Sequence, residues 1–226
     1  MTLRQHFNRL SRFCYSRLLV AVALTIMLGA QTPAAMSETK EEVRVLAFGD
    51  SLTAGYGLPK TDSFPAKLEQ SLRAKGINAI VTNAGVSGDT TAGGRARLDW
   101  ALSSKPHLTI VELGANDAMR GVPPGATWNN LDNILTRLKE QNIAVLLTGM
   151  VAPPNYGDKF AQVFDGIYPR LADRHGVLLY PFFLEGVAAD PKLNQADGIH
   201  PTAQGVDLIV ERILPYVLKL IDTPDA

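Results

Sequence analysis

The sequence predicts an α/β fold in which helices cover both faces of a parallel β-sheet. From about residue 40 onward, short apolar runs alternate regularly with helical patterns, an order typical of parallel sheets. The apolar runs are nearly continuous instead of alternating with polar residues, as expected for strands buried on both faces. No internal repeat or long linker interrupts this pattern, so we expect a single domain over residues 40–222.

Five strands and five helices follow one another along this domain. The strands are predicted at residues 43–48, 79–83, 108–113, 143–148 and 177–180. The helices are predicted at residues 64–75, 95–103, 128–141, 159–174 and 201–221. Gly76 and Gly176 directly follow two of the helices, and glycine is a common helix stop. The third helix comes after a Pro123-Pro124-Gly125 loop, and the last begins near Pro201.

Length and composition support one globular domain. The chain has 226 residues, of which 46% are hydrophobic and 19% charged, enough apolar material for a sizeable core. The formal net charge is zero, but residues 1–35 carry four arginines and no acidic residue. The remainder therefore holds 18 basic and 22 acidic side chains, a net charge of −4. This balance weighs against nucleic acid as a partner, because a phosphate backbone selects basic surfaces.

The first 35 residues have the pattern of an export signal. A basic segment precedes an uncharged apolar run over residues 18–30, and small residues follow at 32–35, as in a cleavable signal peptide. The alternative is an anchoring transmembrane helix, but a run of 13 residues is shorter than the ~20 needed to span a bilayer. We therefore expect a signal peptide over residues 1–35 with cleavage near Ala34 or Ala35. The mature protein would be periplasmic or secreted, without a stable membrane anchor.

Cys14 is the only cysteine, and it precedes that apolar run. A lipid-attachment cysteine would instead follow the run. Cleavage would remove Cys14, so we expect the mature chain to contain no disulfide, no thiol nucleophile and no thiolate metal site.

Polar clusters follow the first three predicted strands, at the point where each strand ends. They are Gly49-Asp50-Ser51, Asn83-Ala84-Gly85 and Gly114-Ala115-Asn116-Asp117. Ligands of parallel α/β sheets bind beyond the carboxyl ends of the strands, so these clusters mark the expected site. Ser51 is the candidate nucleophile, although Gly-Asp-Ser-Leu taken alone also fits a capped turn. A serine nucleophile needs an adjacent base, which in turn needs an orienting group.

Of the three histidines beyond residue 35, His200 is the best candidate for that base. His107 and His175 each precede a predicted strand, at the sheet edge opposite the polar clusters, so we interpret them as structural. His200 lies in Asp197-Gly198-Ile199-His200-Pro201, a spacing at which Asp197 can accept the Nδ1 proton and leave Nε2 free. The spacing alone fits equally well a surface turn in which Asp197 caps the last helix. The strand-end serine and asparagine favour the catalytic interpretation.

Acyl transfer also needs hydrogen-bond donors for the developing oxyanion. Asn116 offers a side-chain NH2 group, Gly85 a backbone N–H without an obstructing side chain, and Ser51 its own amide. Gly85 and Asn116 taken singly also fit ordinary turn residues. Their joint position at one sheet edge is the stronger indication, and we predict that these three groups form the oxyanion hole.

Four sequence blocks, in order, resemble those of the SGNH (GDSL-type) hydrolases. They are Gly49-Asp50-Ser51-Leu52, Gly85 within residues 83–90, Gly114-Ala115-Asn116-Asp117 and Asp197-Gly198-Ile199-His200-Pro201. The resemblance covers residues 43–220. It is closest to the branch that contains the periplasmic thioesterase I/lysophospholipase and related arylesterases, which share Leu-Gly-Ala-Asn-Asp-Ala-Met-Arg-Gly and the Pro-Pro-Asn-Tyr-Gly of residues 153–157.

The resemblance implies a flavodoxin-like, three-layer α/β/α sandwich with a five-stranded parallel sheet in the order 2-1-3-4-5. It implies that Ser51 is the nucleophile, His200 the base and Asp197 its orienting group. The Ser51 amide, Gly85 and Asn116 would form the oxyanion hole. Ala115 stands where this branch commonly has glycine, a difference that bears on the mobility of its loop.

The expected reaction is the two-step hydrolysis of a carboxylic ester through an acyl-enzyme, without a cofactor or a metal ion. Aryl or short-to-medium acyl esters are the expected substrates, and acyl thioesters and lysophospholipids are compatible. Apolar side chains near the site are predicted to bind substrate: Tyr56, Met119, Val122, Pro123, Pro154 and Tyr156. Gly121 and Gly125 favour residues 117–125 as a mobile lid. We expect a monomer.

Three other functions remain open at this point. An acetylesterase acting on acetylated glycans would use the same residues. A metallophosphoesterase usually recruits several histidines, and the predicted mature chain has three, two of them badly placed. A non-catalytic lipid- or glycan-binding module on the same scaffold would leave Ser51 unreactive toward a serine-directed phosphonate.

Overall fold

The computed structural model describes residues 41–223. Within them, five strands form one sheet: β1 Val43–Gly49, β2 Ala79–Gly85, β3 Leu108–Glu112, β4 Ala144–Thr148 and β5 Leu178–Tyr180. Neighbouring strands are parallel, in the order β2-β1-β3-β4-β5. The predicted α/β fold and strand order are therefore confirmed. The signal peptide predicted over residues 1–35 lies outside the described residues.

Helices flank the sheet. In chain order they are α1 Ser51–Ala54, α2 Phe64–Ala74, α3 Thr91–Leu102, α4 Ala115–Met119, α5 Pro124–Glu140, α6 Asp158–Asp165, α7 Ile167–His175 and α8 Ala203–Ile221. α2 packs against α8 in one layer, while α5 packs between α3 and α7 in the other. Across residues 41–223, no helix has the length and apolar character needed to cross a membrane.

The strands supply the centre of the hydrophobic core. β1 and β3 lie between other strands, and most of their side chains are buried. These two strands are nearly continuous apolar runs because helices cover both faces of the sheet. β2 lies at an edge of the sheet and alternates buried with exposed residues, among them the exposed Ile80. The expectation of burial on both faces is therefore wrong for β2.

The strand register brings the ends of three strands to one edge of the sheet. Gly49 at the end of β1 pairs with Gly85 of β2 and with Glu112 of β3. The residues that follow these positions therefore emerge side by side. Gly49 has no room for a side chain, because a Cβ there would clash with Thr53 and Glu112. The residues that begin the candidate site are thus positioned by the sheet itself.

Helix boundaries differ from the predicted ones where a cap or a glycine decides them. α3 begins at Thr91, earlier than predicted, because the side chain of Thr90 accepts the N–H of Gly93. The helix predicted over residues 159–174 is two helices, α6 and α7, which meet at Gly166. The short helices α1 and α4 were not predicted, because four or five residues are too few to show a helical period.

Candidate active site

Ser51 lies at a sharp turn between β1 and α1. Asp50 caps α1, since its side chain accepts the Leu52 N–H at 3.0 Å. Gly55 ends this single turn in the left-handed conformation, at φ 79°, which favours glycine. Ser51 is the first residue of the helix, so its own N–H has no carbonyl within the helix to bond. The turn therefore offers a hydroxyl and an amide donor from the same residue.

The Ser51 hydroxyl meets His200 and Asp197 of the loop before α8. Nε2 of His200 lies 2.9 Å from Ser51 Oγ, and Nδ1 lies 2.7 Å from Asp197 Oδ2. Oδ1 of Asp197 also accepts the backbone N–H groups of Ile199 and His200, both at 3.1 Å. These hydrogen bonds, led by the one from the His200 side chain, lower the pKa of Asp197 to about 2. The charged carboxylate holds the imidazole with Nε2 toward the serine.

The N-terminus of α8 is capped by a different residue from Asp197. The Thr202 hydroxyl accepts the Gly205 N–H at 3.2 Å and takes the capping role. The structure therefore does not support the alternative in which Asp197 serves as a helix cap. It brings the predicted nucleophile, base and orienting group together in one hydrogen-bonded chain.

Tyr56 and Gln195 hold His200 in position. The rings of Tyr56 and His200 are 4.5 Å apart between centroids and tilted by 35°. Nε2 of Gln195 donates to the carbonyl oxygens of Tyr56 and Pro201, at 2.7 and 2.9 Å. The backbone N–H of Gln195 donates to the His200 carbonyl at 2.7 Å. Tyr56 thus contacts the candidate base. Gln195 was not predicted from the sequence, because it belongs to no motif.

Asn116 lies in the first turn of α4, next to the serine turn. Its Nδ2 donates to Asp50 Oδ2 at 3.0 Å, which leaves the second hydrogen of the NH2 group for another acceptor. The next residue, Asp117, is buried and accepts hydrogen bonds from the N–H and hydroxyl of Thr91, at 2.7 and 2.5 Å. The Thr127 hydroxyl donates to the same carboxylate at 3.1 Å. α4 is therefore anchored to α3 and α5, and Asn116 is held in place.

Gly85 does not present a free amide, contrary to prediction. Its N–H donates to Oδ1 of Asn83 at 3.0 Å, and a Cβ at this position would clash with the backbone of Ala54 in α1. Gly85 therefore allows β2 to pack closely against the serine helix. Gly88 of the same loop is a better candidate for the oxyanion donor. Its carbonyl accepts a hydrogen bond from Arg120 Nη2 at 2.9 Å, so it lies beside the end of α4.

A cavity of about 240 Å³ opens beside Ser51 and His200. Its walls are largely apolar and are formed by the segments that follow β3, β4 and β5 and by the loop that carries His200. They include Met119, Met150, Val151, Phe182, Leu184 and Ile199. Most of these residues were not predicted from the sequence. Their position after the strands could have indicated that they line the site, because ligands of parallel α/β sheets bind there.

The predicted substrate contacts divide into two groups in the structure. Met119 lines the cavity, and Tyr156 supports it, since the Tyr156 hydroxyl donates to the Met119 carbonyl at 3.0 Å. Val122, Pro123 and Pro154 are not among the lining residues. Pro123 instead directly precedes α5 as its N-cap residue, and Pro154 begins the 3₁₀ turn Pro154–Tyr156. Tyr56 is likewise not a lining residue, although its ring contacts His200. For these four residues the structure does not support the predicted contact.

Residues 117–125, the predicted lid, comprise the end of α4, a short loop and the start of α5. The Tyr156 ring lies against Gly121, so a Cβ there would be 2.8 Å from the ring. Arg120 is bonded to the Gly88 carbonyl. Contacts with two neighbouring loops thus attach this segment, and its movement on substrate binding stays a prediction.

Glu112 at the end of β3 is a further residue of the site that the sequence did not reveal. Its side chain is fully buried, and Oε2 accepts the N–H groups of Asp50 and Thr53, each at 3.2 Å. The Thr53 hydroxyl donates to the same oxygen at 2.7 Å. Burial, and then the charge of Asp50, raise the pKa of Glu112 well above its ordinary value. Glu112 therefore joins β3 to the serine turn.

Comparison with known proteins gives one family. The profile of the GDSL-like lipase/acylhydrolase family matches residues 47–208. The arylesterase of Vibrio mimicus is 39% identical over 186 residues, which cover 82% of this chain and 92% of that protein. The thioesterase 1/protease 1/lysophospholipase L1 of Escherichia coli K12 is 38% identical over 179 residues, which cover 79% of this chain and 85% of that protein.

A solved structure agrees with these sequence matches. The crystal structure of AlinE4, an SGNH-hydrolase family esterase, is 53% identical to this chain with a TM-score of 0.68. The match covers 81% of this chain and 98% of AlinE4. It therefore spans nearly the whole of that esterase.

Proposed function

The chain belongs to the GDSL-like lipase/acylhydrolase family and is an SGNH-type esterase, and we propose that Ser51, His200 and Asp197 carry out its chemistry. The observation that supports this most directly is the hydrogen-bonded chain from Asp197 through His200 to the Ser51 hydroxyl, at 2.7 and 2.9 Å. Each distance lies within the range in which a base can take a proton. No step in the proposal uses a cofactor.

The proposed reaction has two acyl-transfer steps. Nε2 of His200 takes the Ser51 proton as Oγ attacks the ester carbonyl, and the protonated imidazole then gives that proton to the leaving alcohol. Water attacks the resulting acyl-enzyme with His200 again as base, and the acid leaves as Ser51 regains its proton. The charged Asp197 carboxylate stabilises the imidazolium that forms in both steps.

The oxyanion would be held by three donors at the carboxyl edge of the sheet. We assign the Ser51 N–H and the free hydrogen of Asn116 Nδ2 to this role, as predicted. Gly88 replaces Gly85 as the third donor, because the Gly85 N–H is already bonded to Asn83. Gly88 has φ +83°, so Gly88→Ala should turn its N–H away from the oxyanion and lower kcat more than KM. Gly85→Ala should act through stability, because its Cβ would clash with Ala54. A Gly88→Ala enzyme with unchanged kcat would contradict this assignment.

The test of the nucleophile is a pair of serine substitutions. Ser51→Ala should abolish ester hydrolysis and labelling by a phosphonate, while the thermal melting curve stays close to that of the parent protein. Ser71→Ala, the same change on α2, is the matched control and should keep both activities. Full hydrolysis by Ser51→Ala would refute the assignment. Absence of labelling in the parent protein would favour a binding module.

We propose a short-chain or aryl ester as the preferred substrate. The cavity of about 240 Å³ is apolar and lies below the ~300–1,000 Å³ usual for small-molecule sites, so it suits a small acyl group. The relatives include an arylesterase and a thioesterase/lysophospholipase, so acyl thioesters and lysophospholipids are further candidate substrates.

A substrate series measures this preference. kcat/KM for p-nitrophenyl esters should peak at short chains and fall as the acyl chain lengthens, and one acyl thioester is measured beside them. Ala188 is exposed and lines the cavity, so Ala188→Phe should move the peak to still shorter chains. Ala126→Phe, on an exposed position of α5 away from the cavity, is the control. A series that rises with chain length would contradict the proposal.

We also propose that the protein is exported and acts as a monomer. The support for export is the basic and apolar pattern of residues 1–35. Mass spectrometry of the protein from a periplasmic or culture fraction should give an N-terminus near residue 35. An uncleaved chain would contradict export, and light scattering of the purified protein decides the oligomeric state.

A further inference from the structure

Glu112 is a buried titratable group that the proposed reaction does not use. One of its carboxyl oxygens, Oε2, accepts the three hydrogen bonds from Asp50 and Thr53 described above. The other oxygen, Oε1, is buried and has no hydrogen-bond donor among residues 41–223. A buried carboxylate oxygen without a donor is costly, so this arrangement needs an explanation.

Asp50 supplies the explanation, because it is a second buried carboxyl next to the first. Asp50 is fully buried, Oδ1 accepts the Leu52 N–H and Oδ2 accepts Asn116 Nδ2, each at 3.0 Å. Oε2 of Glu112 accepts the Asp50 N–H at 3.2 Å, so the two side chains are neighbours, and the charge of Asp50 acts on the Glu112 carboxyl. Two adjacent buried carboxyls do not both ionise readily, so the pair retains one proton.

The proton belongs on Glu112. Burial raises the pKa of Asp50 and the Leu52 N–H and the Asn116 amide lower it, with a net value of about 6. Burial and the Asp50 charge raise the pKa of Glu112 well above its ordinary value. Each Asp50 oxygen accepts a hydrogen bond, whereas Oε1 of Glu112 has no donor, so Asp50 is the better anion. A proton on Glu112 Oε1 also gives that oxygen the partner it otherwise lacks.

Other charged groups surround the pair without replacing this hydrogen bond. Arg97 of α3 donates from Nη2 to the Gly49 carbonyl at 2.8 Å and is paired with Asp89. The charge that His200 carries when its imidazole is protonated favours the Asp50 anion. The buried Tyr168 hydroxyl donates to the Leu113 carbonyl, and its pKa is raised by burial and then by nearby carboxylates, of which Asp117 is the largest contributor.

We propose that Glu112 is a positioning residue of this esterase: its carboxylic acid donates a hydrogen bond from Oε1 to the Asp50 carboxylate and so holds the Asn116 amide in the orientation needed for the oxyanion. The inference rests on the proposed function. Asp50, as an anion, only accepts hydrogen bonds, so it fixes Asn116 with Nδ2 toward itself. The serine turn is held at the same time, because Glu112 Oε2 binds Asp50 N–H and both donors of Thr53.

The first experiment compares Glu112→Gln with Glu112→Met. Glutamine can place Nε2 where Oε1 lies and its carbonyl oxygen where Oε2 lies, so it reproduces the neutral acid. Methionine has similar length but neither group. We expect Glu112→Gln to keep kcat within about threefold, and Glu112→Met to lose kcat by about 100-fold, the size of losing one oxyanion donor. KM should change little in both. Thr109→Val, at another buried polar position of β3, is the control.

The second experiment asks whether Glu112 acts through Asn116. In an Asn116→Ala enzyme, adding Glu112→Met should lower kcat by less than about threefold further, because the positioned group is already gone. If Glu112→Met lowers kcat as much in the Asn116→Ala enzyme as it does in the parent enzyme, that result would overturn the proposal. So would a Glu112→Gln enzyme as slow as Glu112→Met, or a folded Glu112→Met enzyme with parental kcat.

A spectroscopic measurement keeps the proposal testable if Glu112→Met does not fold. The infrared difference spectrum between the parent and Glu112→Gln should contain the C=O stretch of a protonated carboxylic acid, sensitive to deuterium exchange. The same band should be present in Ser51→Ala. Absence of the band in both proteins overturns the proposal for Glu112. Failure of the proposed function would show instead as hydrolysis by Ser51→Ala, whatever the infrared result.

Discussion

The substitution Asp117→Asn tests how the site is attached to the fold. Asp117 is almost fully buried and accepts three hydrogen bonds, from the N–H and hydroxyl of Thr91 and from the hydroxyl of Thr127. The amide is nearly isosteric with the carboxylate, so the change removes charge without creating a cavity. It therefore isolates the electrostatic part of the link between α4 and its neighbours α3 and α5.

The expected cost follows from these three bonds. The Thr91 N–H can only donate, so the amide oxygen must face it, and the NH2 group then faces the two hydroxyls. The Thr91 hydroxyl already accepts from Asn130 Nδ2 at 3.1 Å, which makes a reversed bond there poor. Hydrogen bonds to a charged group exceed neutral ones by about 1 kcal/mol each. We expect Asp117→Asn to lower the free energy of unfolding by about 3 kcal/mol.

Urea denaturation and thermal melting measure this cost. For a domain of this size, a loss of about 3 kcal/mol corresponds to a drop in Tm of roughly 6–12 °C. kcat should fall as well, because Asn116 precedes the substituted residue. Asp173→Asn, at an exposed position of α7, is the control and should stay within about 0.5 kcal/mol of the parent. A change below about 1 kcal/mol in Asp117→Asn with parental kcat would refute the reasoning.

Three further predictions concern buried and catalytic polar groups. Tyr168→Phe removes the hydroxyl that donates to the buried Leu113 carbonyl at 3.0 Å, and urea denaturation should show a loss of about 1–3 kcal/mol; an unchanged midpoint would contradict this. Asp197→Asn should lower kcat by about 10⁴-fold, as in a serine protease triad. Because the pKa of Asp197 is lowered to about 2 by its bond to His200, this loss should persist from about pH 5 to pH 9, and a loss limited to one end of that range would speak against the role. Since burial raises the pKa of Glu112 above its ordinary 4.5, the proton it retains stabilises the fold fully below that value and progressively less as pH rises. As pH rises, the Tm of Glu112→Gln should therefore increase relative to the Tm of the parent protein. A difference in Tm that stays constant with pH would count against a retained proton on Glu112.

Residues directly after strands were predictable because the sheet decides where they lie. Ser51 and Asn116 follow β1 and β3, which are neighbours in the sheet, so their proximity follows from the strand order. His200 was identified from its spacing to Asp197 and from the lack of a better-placed histidine. In each case a short motif and one topological rule were sufficient.

Other features of the site depend on hydrogen bonds that no motif records. The sequence could not distinguish Gly85 from Gly88 as a donor, because a single bond from Gly85 N–H to Asn83 decides the matter. The cavity walls come from loops whose apolar residues have no characteristic spacing. Glu112 falls within the strand predicted at residues 108–113, and no motif singles it out. A glutamate with apolar residues on both sides was the available sign of a buried carboxyl.

The two halves of the proposed catalytic apparatus differ in how firmly they are supported. Ser51 and Asn116 are built on the central strands, whereas Asp197 and His200 belong to an exposed loop that Gln195 and the Tyr56 ring hold in place. Loops of this kind open locally at a lower free energy than the strands of a core. Heating should therefore separate the base from the nucleophile while the sheet is still intact. Inactivation at such temperatures would be reversed on cooling, and the working range of the enzyme would be limited by this loop and not by global unfolding.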